Sequence, residues 1–297
     1  MKPGTAPRVS VGLPVYNGAA YITQAIDSLL AQSFRDFELI ICDNASTDAT
    51  ESICRGYAGR DDRVQYHRNP RNKGVGYNHS RVFELSSGEY FRWAGADDIV
   101  HERLLERCVA ALDGDPSAVL AYPRTILIDA DGAIIEQYED RLNLPWPDPV
   151  RRLRVMLETV RRCNAVYGVM RSEVLERTGI IGDFVGADVC LLAELTLHGT
   201  FHEVPEFLFS RRVHEGSVAG SQQDYARVQR AFRPDARPGL RLPVWRHQLE
   251  HYRAVHRAPL GVSDKVRSYG FLARNMVARR RRLMKEATGA MAGLLSP

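Results

Sequence analysis

The 297-residue sequence has no Cys-x-x-Cys pair, and its five cysteines (Cys42, Cys54, Cys108, Cys163, Cys190) are scattered and odd in number. That usage argues against a disulfide framework or a zinc site and for a reducing compartment. No apolar run approaches 18 residues, and the first residues lack a positively flanked apolar stretch. Neither a spanning helix nor a signal peptide is therefore expected, and the chain reads as cytoplasmic. Gly-x-Gly-x-x-Gly is absent from the first strand–helix junction, and Gly-x-x-x-x-Gly-Lys-Ser/Thr from the whole chain. These absences remove the dinucleotide fold and the P-loop. Charge is nearly balanced at +4, too small a bias to imply nucleic acid. There is no internal repeat and no low-complexity segment. What remains, 44% hydrophobic and 26% charged residues, is the make-up of a globular protein able to bury a sizeable core.

Strand and helix patterns alternate from residue 9. Val9–Leu13, Phe37–Cys42, Val64–His67 and Tyr90–Ala94 read as strands, with helical spacing over 21–32, 49–57 and 77–85. The alternation predicts an α/β fold with a mostly parallel, doubly wound sheet and helices on both faces. Further on, a helix over 102–112, a strand over 118–122, a hairpin turning at Asp131-Gly132, a helix over 151–162 and a strand over 166–170 are expected. A helix over 189–197 and a last strand over 207–213 complete the pattern. From about Tyr225 the chain turns helix-prone and basic, ending in Arg279–Arg282 and several apolar residues.

Three polar clusters follow strands on one side of this sheet: Pro14-Val15-Tyr16-Asn17, Asp43 to Asp48, and Asp97-Asp98. Strand C-termini in an open α/β sheet share one edge, where ligands bind. Adjacent carboxylates repel unless a cation joins them, so a divalent metal carrying a phosphate suits the Asp97-Asp98 pair. The same pair also reads as a cap for a helix starting near Val100. Asp43 likewise reads as a turn cap, and Asp188 as the N-cap of its helix.

Val9-Ser-Val-Gly-Leu-Pro-Val-Tyr-Asn17, Asp43-Asn-Ala-Ser-Thr-Asp-Ala-Thr50, Asn72-Lys-Gly74 and Ala96-Asp-Asp98 resemble the successive motifs of family-2 glycosyltransferases of the GT-A fold, over roughly residues 8–215. The resemblance implies a nucleotide-diphospho-sugar donor (UDP-, dTDP- or GDP-linked), a hydroxyl acceptor, Mn²⁺ or Mg²⁺, and inversion at the anomeric carbon. It implies a GT-A domain over 1–222, with 8–100 as the nucleotide-binding half and 101–222 as the acceptor-side half, and a helical basic extension over 223–297. Carried over by motif, Pro14, Val15, Tyr16, Asn17, Asp43, Asn44, Asn72, Lys73 and Asp97 bind the nucleotide sugar, and Asp98 binds the metal. The family's aspartate-any-aspartate stands here as Ala96-Asp97-Asp98, so its final carboxylate is kept. His214, after Arg211-Arg212, is similar to the family's late Arg-x-x-His and is a candidate metal or diphosphate ligand. Asp188 is the candidate base, with Glu194 and then Asp183 behind it. Arg211 or Arg212 would neutralise the leaving diphosphate.

Two other readings compete. A nucleotidyltransferase that makes the sugar nucleotide would want a glycine-rich, Lys/Arg-bearing loop after the first strand, which Pro14–Gly18 is not. A non-catalytic nucleotide-sugar-binding scaffold would not need both Asp98 and Asp188. The basic tail is either a solvated face or a contact with an anionic membrane surface, and His247, His251 and His256 within it show no ligand pattern.

Overall fold

Every residue of Phe37–Asp43 (β2) is buried, as its unbroken apolar run requires of a strand covered on both faces. It lies between Val9–Val15 (β1) and Val64–Arg68 (β3), parallel to both, and β1 pairs in parallel with Tyr90–Trp93 (β4). The computed structural model describes residues 6–215, 228, 231, 232 and 242–295.

Helices Ile22–Leu30 (α1), Thr50–Ala58 (α2) and Val75–Glu84 (α3) connect these strands. Alternate β1 residues Val9, Val11, Leu13 and Val15 join Ile22, Ile26 and Leu29 of α1 in a core on one face. Phe91 and Trp93 of β4 point the other way, against Val82 and Phe83 of α3. Period-two alternation thus feeds two cores, one on each side of the sheet.

The second half departs from simple winding. Asp97-Asp98 leads into a two-residue strand, Ile99–Val100 (β5), and the next helix, Leu104–Gly114 (α4), starts later than expected. Ala118–Ile128 (β6) is one long strand that turns back through residues 129–133 into Ile134–Tyr138 (β7), the expected hairpin. Pro149–Thr159 (α5) begins with Pro at its first position and an Asp148 cap that accepts from the Val150 amide. The strand expected over 166–170 is instead a 3₁₀ turn, Asn164–Tyr167, followed by Val169–Arg171 (β8). β8 runs antiparallel between β4 and β6, which makes the sheet mixed. The short helix Ser172–Leu175 (α6) and Ala187–Leu195 (α7) precede Thr200–Arg212 (β9), parallel to β6 and antiparallel to β5. The sheet order is β3-β2-β1-β4-β8-β6-β9-β5.

Among the described residues, three helices are delimited in the tail: Pro243–Arg257 (α8), Val262–Ala278 (α9) and Arg280–Leu295 (α10). Ala254, Val255, Phe271 and Leu272 are buried in the same core as Leu153 of α5 and Leu191 of α7. The tail is therefore packed onto the α/β unit, although the 222/223 boundary lies outside the described residues.

Candidate active site

The parallel register aligns Val15, Asp43 and Arg68 at the ends of β1, β2 and β3, so the loops that follow share one edge. Two of these loops are stitched together. The amides of Asn17, Gly18 and Ala19 donate to Ser46 Oγ, Thr50 Oγ1 and Asp48 Oδ2 at 2.9–3.0 Å. Asn17 has a left-handed backbone (φ 52°), and its Oδ1 accepts from the Thr47 amide. Val15 is buried, Pro14 is partly exposed, and the Tyr16 ring stands 48% exposed at the rim.

Asp43 has no exposed surface. Its Oδ1 accepts from the Ser46 amide, and its Oδ2 accepts from the Tyr66 hydroxyl and the Arg68 guanidinium. The turn-capping reading thus holds in the structure, and Tyr66 and Arg68 are partners that the sequence reading did not include. Asn44 is a brace: its Oδ1 accepts from Asn69 and from the Lys73 amide, and its Nδ2 donates to Asn72 Oδ1 and the Gly74 carbonyl. Asn72 and Lys73 are thereby fixed at the same edge, with the Lys73 ammonium 3.0 Å from the Tyr77 hydroxyl.

The Asp97-Asp98 turn does not cap a helix, because β5 follows it directly. Arg212 holds it. The Arg212 amide donates to Asp98 Oδ1 (2.9 Å), and its guanidinium donates to the carbonyls of Asp97, Asp129 and Ala130 and to Gln24 Oε1. Four of the five guanidinium N–H groups are thus committed to structure. Asp98 is 6% exposed, and burial, then the neighbouring Asp97 charge, push its pKa up to about 7. Asp97 Oδ2 accepts from His214 Nε2 at 3.0 Å, and that ring lies 4.9 Å from the ring of Tyr21. A Cβ added at Gly95 would overlap Asp98 Oδ2, so only glycine lets the turn close over the carboxylate. Two adjacent carboxylates, one where charge is costly without a counter-cation, and an imidazole fit a hard divalent ion such as Mn²⁺ or Mg²⁺.

α7 starts after Gly186, whose φ of 87° suits glycine, and Asp188 lies in its first turn. Gly186, not Asp188, holds the cap position. Burial, followed by the charge of the nearby Asp188 carboxylate, raises the Cys163 thiol pKa. Arg211 ties the two halves of the site together. It donates to Asn164 Oδ1 (2.6 Å) and the Arg162 carbonyl (2.8 Å). Burial works against its charge, but Tyr167, Asp98, Asp188 and Cys163 around it more than offset this and hold its pKa above the usual value. The fields of both key carboxylates therefore meet at one guanidinium.

Glu194, the second candidate base, is buried, accepts from Arg257 at 2.8 Å through both oxygens and takes the Gly179 amide, which clamps α8 onto α7. Asp183 is paired with Arg246 of α8 at 2.6 Å. Cys163, Tyr167 and Asn164 were missed in the sequence reading, which took 166–170 as a plain strand; nothing in a lone Asn-Ala-Val-Tyr run marks a 3₁₀ turn facing a helix 20 residues on.

Residues 10–179 match the family model of glycosyl transferase family 2. The chain is 37% identical over 131 residues to an uncharacterized glycosyltransferase of Rickettsia typhi, covering 43% of this chain and 40% of that protein. It is 32% identical over 129 residues to chondroitin synthase of Escherichia coli, covering 43% of this chain and 19% of that protein. The matched stretch thus spans two fifths or less of these relatives' length. Among solved structures, S. aureus TarS 1–349 in complex with UDP-GlcNAc aligns with a TM-score of 0.66 at 18% identity, over 91% of this chain and 73% of TarS 1–349. Mannosyltransferase PcManGT of Pyrobaculum calidifontis, in complex with GDP-Man and Mn²⁺, aligns with a TM-score of 0.57 at 18% identity, over 99% of this chain and 77% of that one. These two share the fold.

Proposed function

From the chain's membership of glycosyl transferase family 2, we propose that it moves a sugar from a nucleoside-diphosphate donor to an acceptor hydroxyl, with inversion at the anomeric carbon. The observation that carries this reading is Arg211, at which the charges of Asp98 on the donor side and Asp188 on the acceptor side converge. The stitched loop after β1 argues against the nucleotidyltransferase alternative. Three successive amides there are already spent on Ser46, Thr50 and Asp48, where a phosphate cradle would need them open.

In this reading the base and ribose of the donor lie along Pro14–Asn17, Asp43, Asn44, Asn72, Lys73 and Asp97. Asp43 would turn from Tyr66 or Arg68 toward the base. Asp188 takes the acceptor's hydroxyl proton as its oxygen bonds to the anomeric carbon, while the bond to the diphosphate breaks on the opposite face and its electron pair leaves with the phosphate. Arg211 offsets the charge shared among the departing diphosphate and the carboxylates. Asp98 and His214 would hold Mn²⁺ or Mg²⁺, which when bound stabilises charge growing on the diphosphate. The named ligands of the two fold neighbours, UDP-GlcNAc in one and GDP-Man with Mn²⁺ in the other, support a donor of this class. No helix among the described residues is long and apolar enough to cross a membrane. The exposed Arg279–Arg282 run fits peripheral contact with an anionic surface where a lipid-linked acceptor would lie; such an acceptor would place the enzyme in cell-surface glycan or glycolipid synthesis.

Calorimetry with UDP, GDP and dTDP, each with Mn²⁺ and with EDTA, tests the donor site. Tight binding of one nucleotide that needs both metal and Asp98 is the expected result. Failure of all three to bind in the presence of metal would refute the reading.

A further inference from the structure

Two helices far apart in sequence bring a second set of metal-type donors together. Cys190 lies on α7, and His247 and His251 lie one turn apart on α8, so both imidazoles share a face of that helix. The Cys190 sulfur and one ring nitrogen from each histidine all lie within 4.8 Å of one another. The two rings meet edge to face with centroids 4.7 Å apart. Cys190 and His251 are buried, and Nδ1 of His251 is buried with no hydrogen-bond partner. A buried nitrogen left unpaired carries the full desolvation cost of a missing bond, which a bound cation would remove.

The donors also suit a metal chemically. Burial, then His247 and Arg279, lowers the pKa of His251 to about 3, and burial, then Arg279, lowers that of His247. Both rings are therefore neutral and offer lone pairs. Arg279 and Arg282 face the histidines and Arg246 faces the thiol, but Asp188, Glu250 and Glu194 surround Cys190 with compensating negative charge. Zn–S bonds of about 2.3 Å and Zn–N bonds of about 2.0–2.1 Å would need the three atoms only about 1 Å closer together. Half-buried His247 provides a route in from solvent.

We propose that Cys190, His247 and His251 bind one Zn²⁺, with water as the fourth ligand, and that the ion pins α8 to the helix that carries Asp188. The Cys190 thiol gives its proton to solvent on binding, leaving a thiolate–zinc bond. His247 packs against Gly186, where an added Cβ would come within 3.0 Å of its ring, so the ion would fasten the start of α7 to the tail. One sulfur and two nitrogens select a softer ion than the carboxylates of Asp97 and Asp98 do.

Co²⁺ is the probe. The metal-stripped full chain is titrated with Co²⁺ in excess Mg²⁺, which occupies oxygen sites. One equivalent should raise a near-ultraviolet sulfur-to-cobalt band with the visible bands of tetrahedral cobalt, and Zn²⁺ should displace it. Cys190→Ser should abolish the sulfur band, and His251→Gln should weaken Zn²⁺ binding more than about tenfold. Asp98→Asn should leave the band intact, which separates this site from the donor site. Should Cys190→Ser fail to fold, His247→Gln at the half-buried position reads the same loss. Absence of the sulfur band in the wild-type chain, or its survival in the foldable ligand variants, would overturn the proposal.

Discussion

Replacing Asp98 by Asn should stabilise the metal-free protein above pH 7 while abolishing metal-dependent nucleotide binding. In the folded chain burial, then Asp97, raises the Asp98 pKa from 3.8 to about 7. Below pH 4 the carboxyl is protonated in both folded and unfolded chains and carries no penalty. Between pH 4 and 7 the unfolded chain releases this proton and the folded chain keeps it, so stability falls as pH rises, and the loss is complete above about pH 7. A midpoint moved that far corresponds to on the order of 4 kcal/mol. For a chain of this size that is about 6–7 °C in Tm. Asn keeps an oxygen for the Arg212 amide and has no charge to desolvate. Thermal melts of both proteins in EDTA at pH 5 and pH 8 measure the difference. More than a third of the penalty is already present at pH 5, so the wild type should lose about 4 °C relative to the variant between the two conditions, and Mn²⁺ should restore it in the wild type alone. A wild type at least as stable as Asp98→Asn at pH 8 without metal would show that the site stabilises the charge unaided, and the argument would fail.

Asp188→Asn should lower the transfer rate by about 10²–10⁴-fold with the nucleotide Kd unchanged, read by product formation and calorimetry; a loss under tenfold would move the base elsewhere. Glu194→Gln should leave nucleotide binding intact yet cost about 3 kcal/mol in urea denaturation, because Arg257 loses a buried partner. Gly95→Ala should displace the Asp98 carboxylate and weaken metal-dependent nucleotide binding, with a cost of about 1–3 kcal/mol from crowding. An unchanged metal requirement in that variant would mean the turn tolerates a side chain.

The nucleotide half of the fold was legible because its rules are local. Unbroken apolar runs in β1 and β2, helical spacing in α1 and turn residues at Asn17 and Asp43 each specify their own segment, and parallel register then places the loops. Asp97-Asp98 was legible as a pair, but the strand after it was not, because a two-residue strand such as β5 carries no periodicity, and that strand removes the competing capping reading. The pairing of Glu194, the fallback base, with Arg257 was not legible, since the two are 63 residues apart and nothing local couples them. The Cys190–His247–His251 cluster was invisible for the same reason: only the packing of α8 on α7 brings its members together.

Arg211 and Arg212 show where sequence reasoning stops for a physical cause. Neighbours on a strand face opposite sides, so the two side chains must meet different partners. Which partners each meets depends on the register of β9 against β6. That register is irregular: Pro123 pairs with Val204, Arg124 with Phe207 and Thr125 with Phe209. Of its three irregularities, the first leaves Val119 of β6 as an extra residue, the second skips Glu206 and Pro205, which cannot donate to a ladder, and the third leaves Leu208 as an extra residue. One extra residue exchanges the faces of everything after it. The single extra residues at Val119 and Leu208 together therefore set the register in which Arg211 lies near Asp98 and Asp188 while Arg212 braces the Asp97-Asp98 turn. The assignment of charge to chemistry is set by defects in strand pairing, and motif spacing carries no record of them.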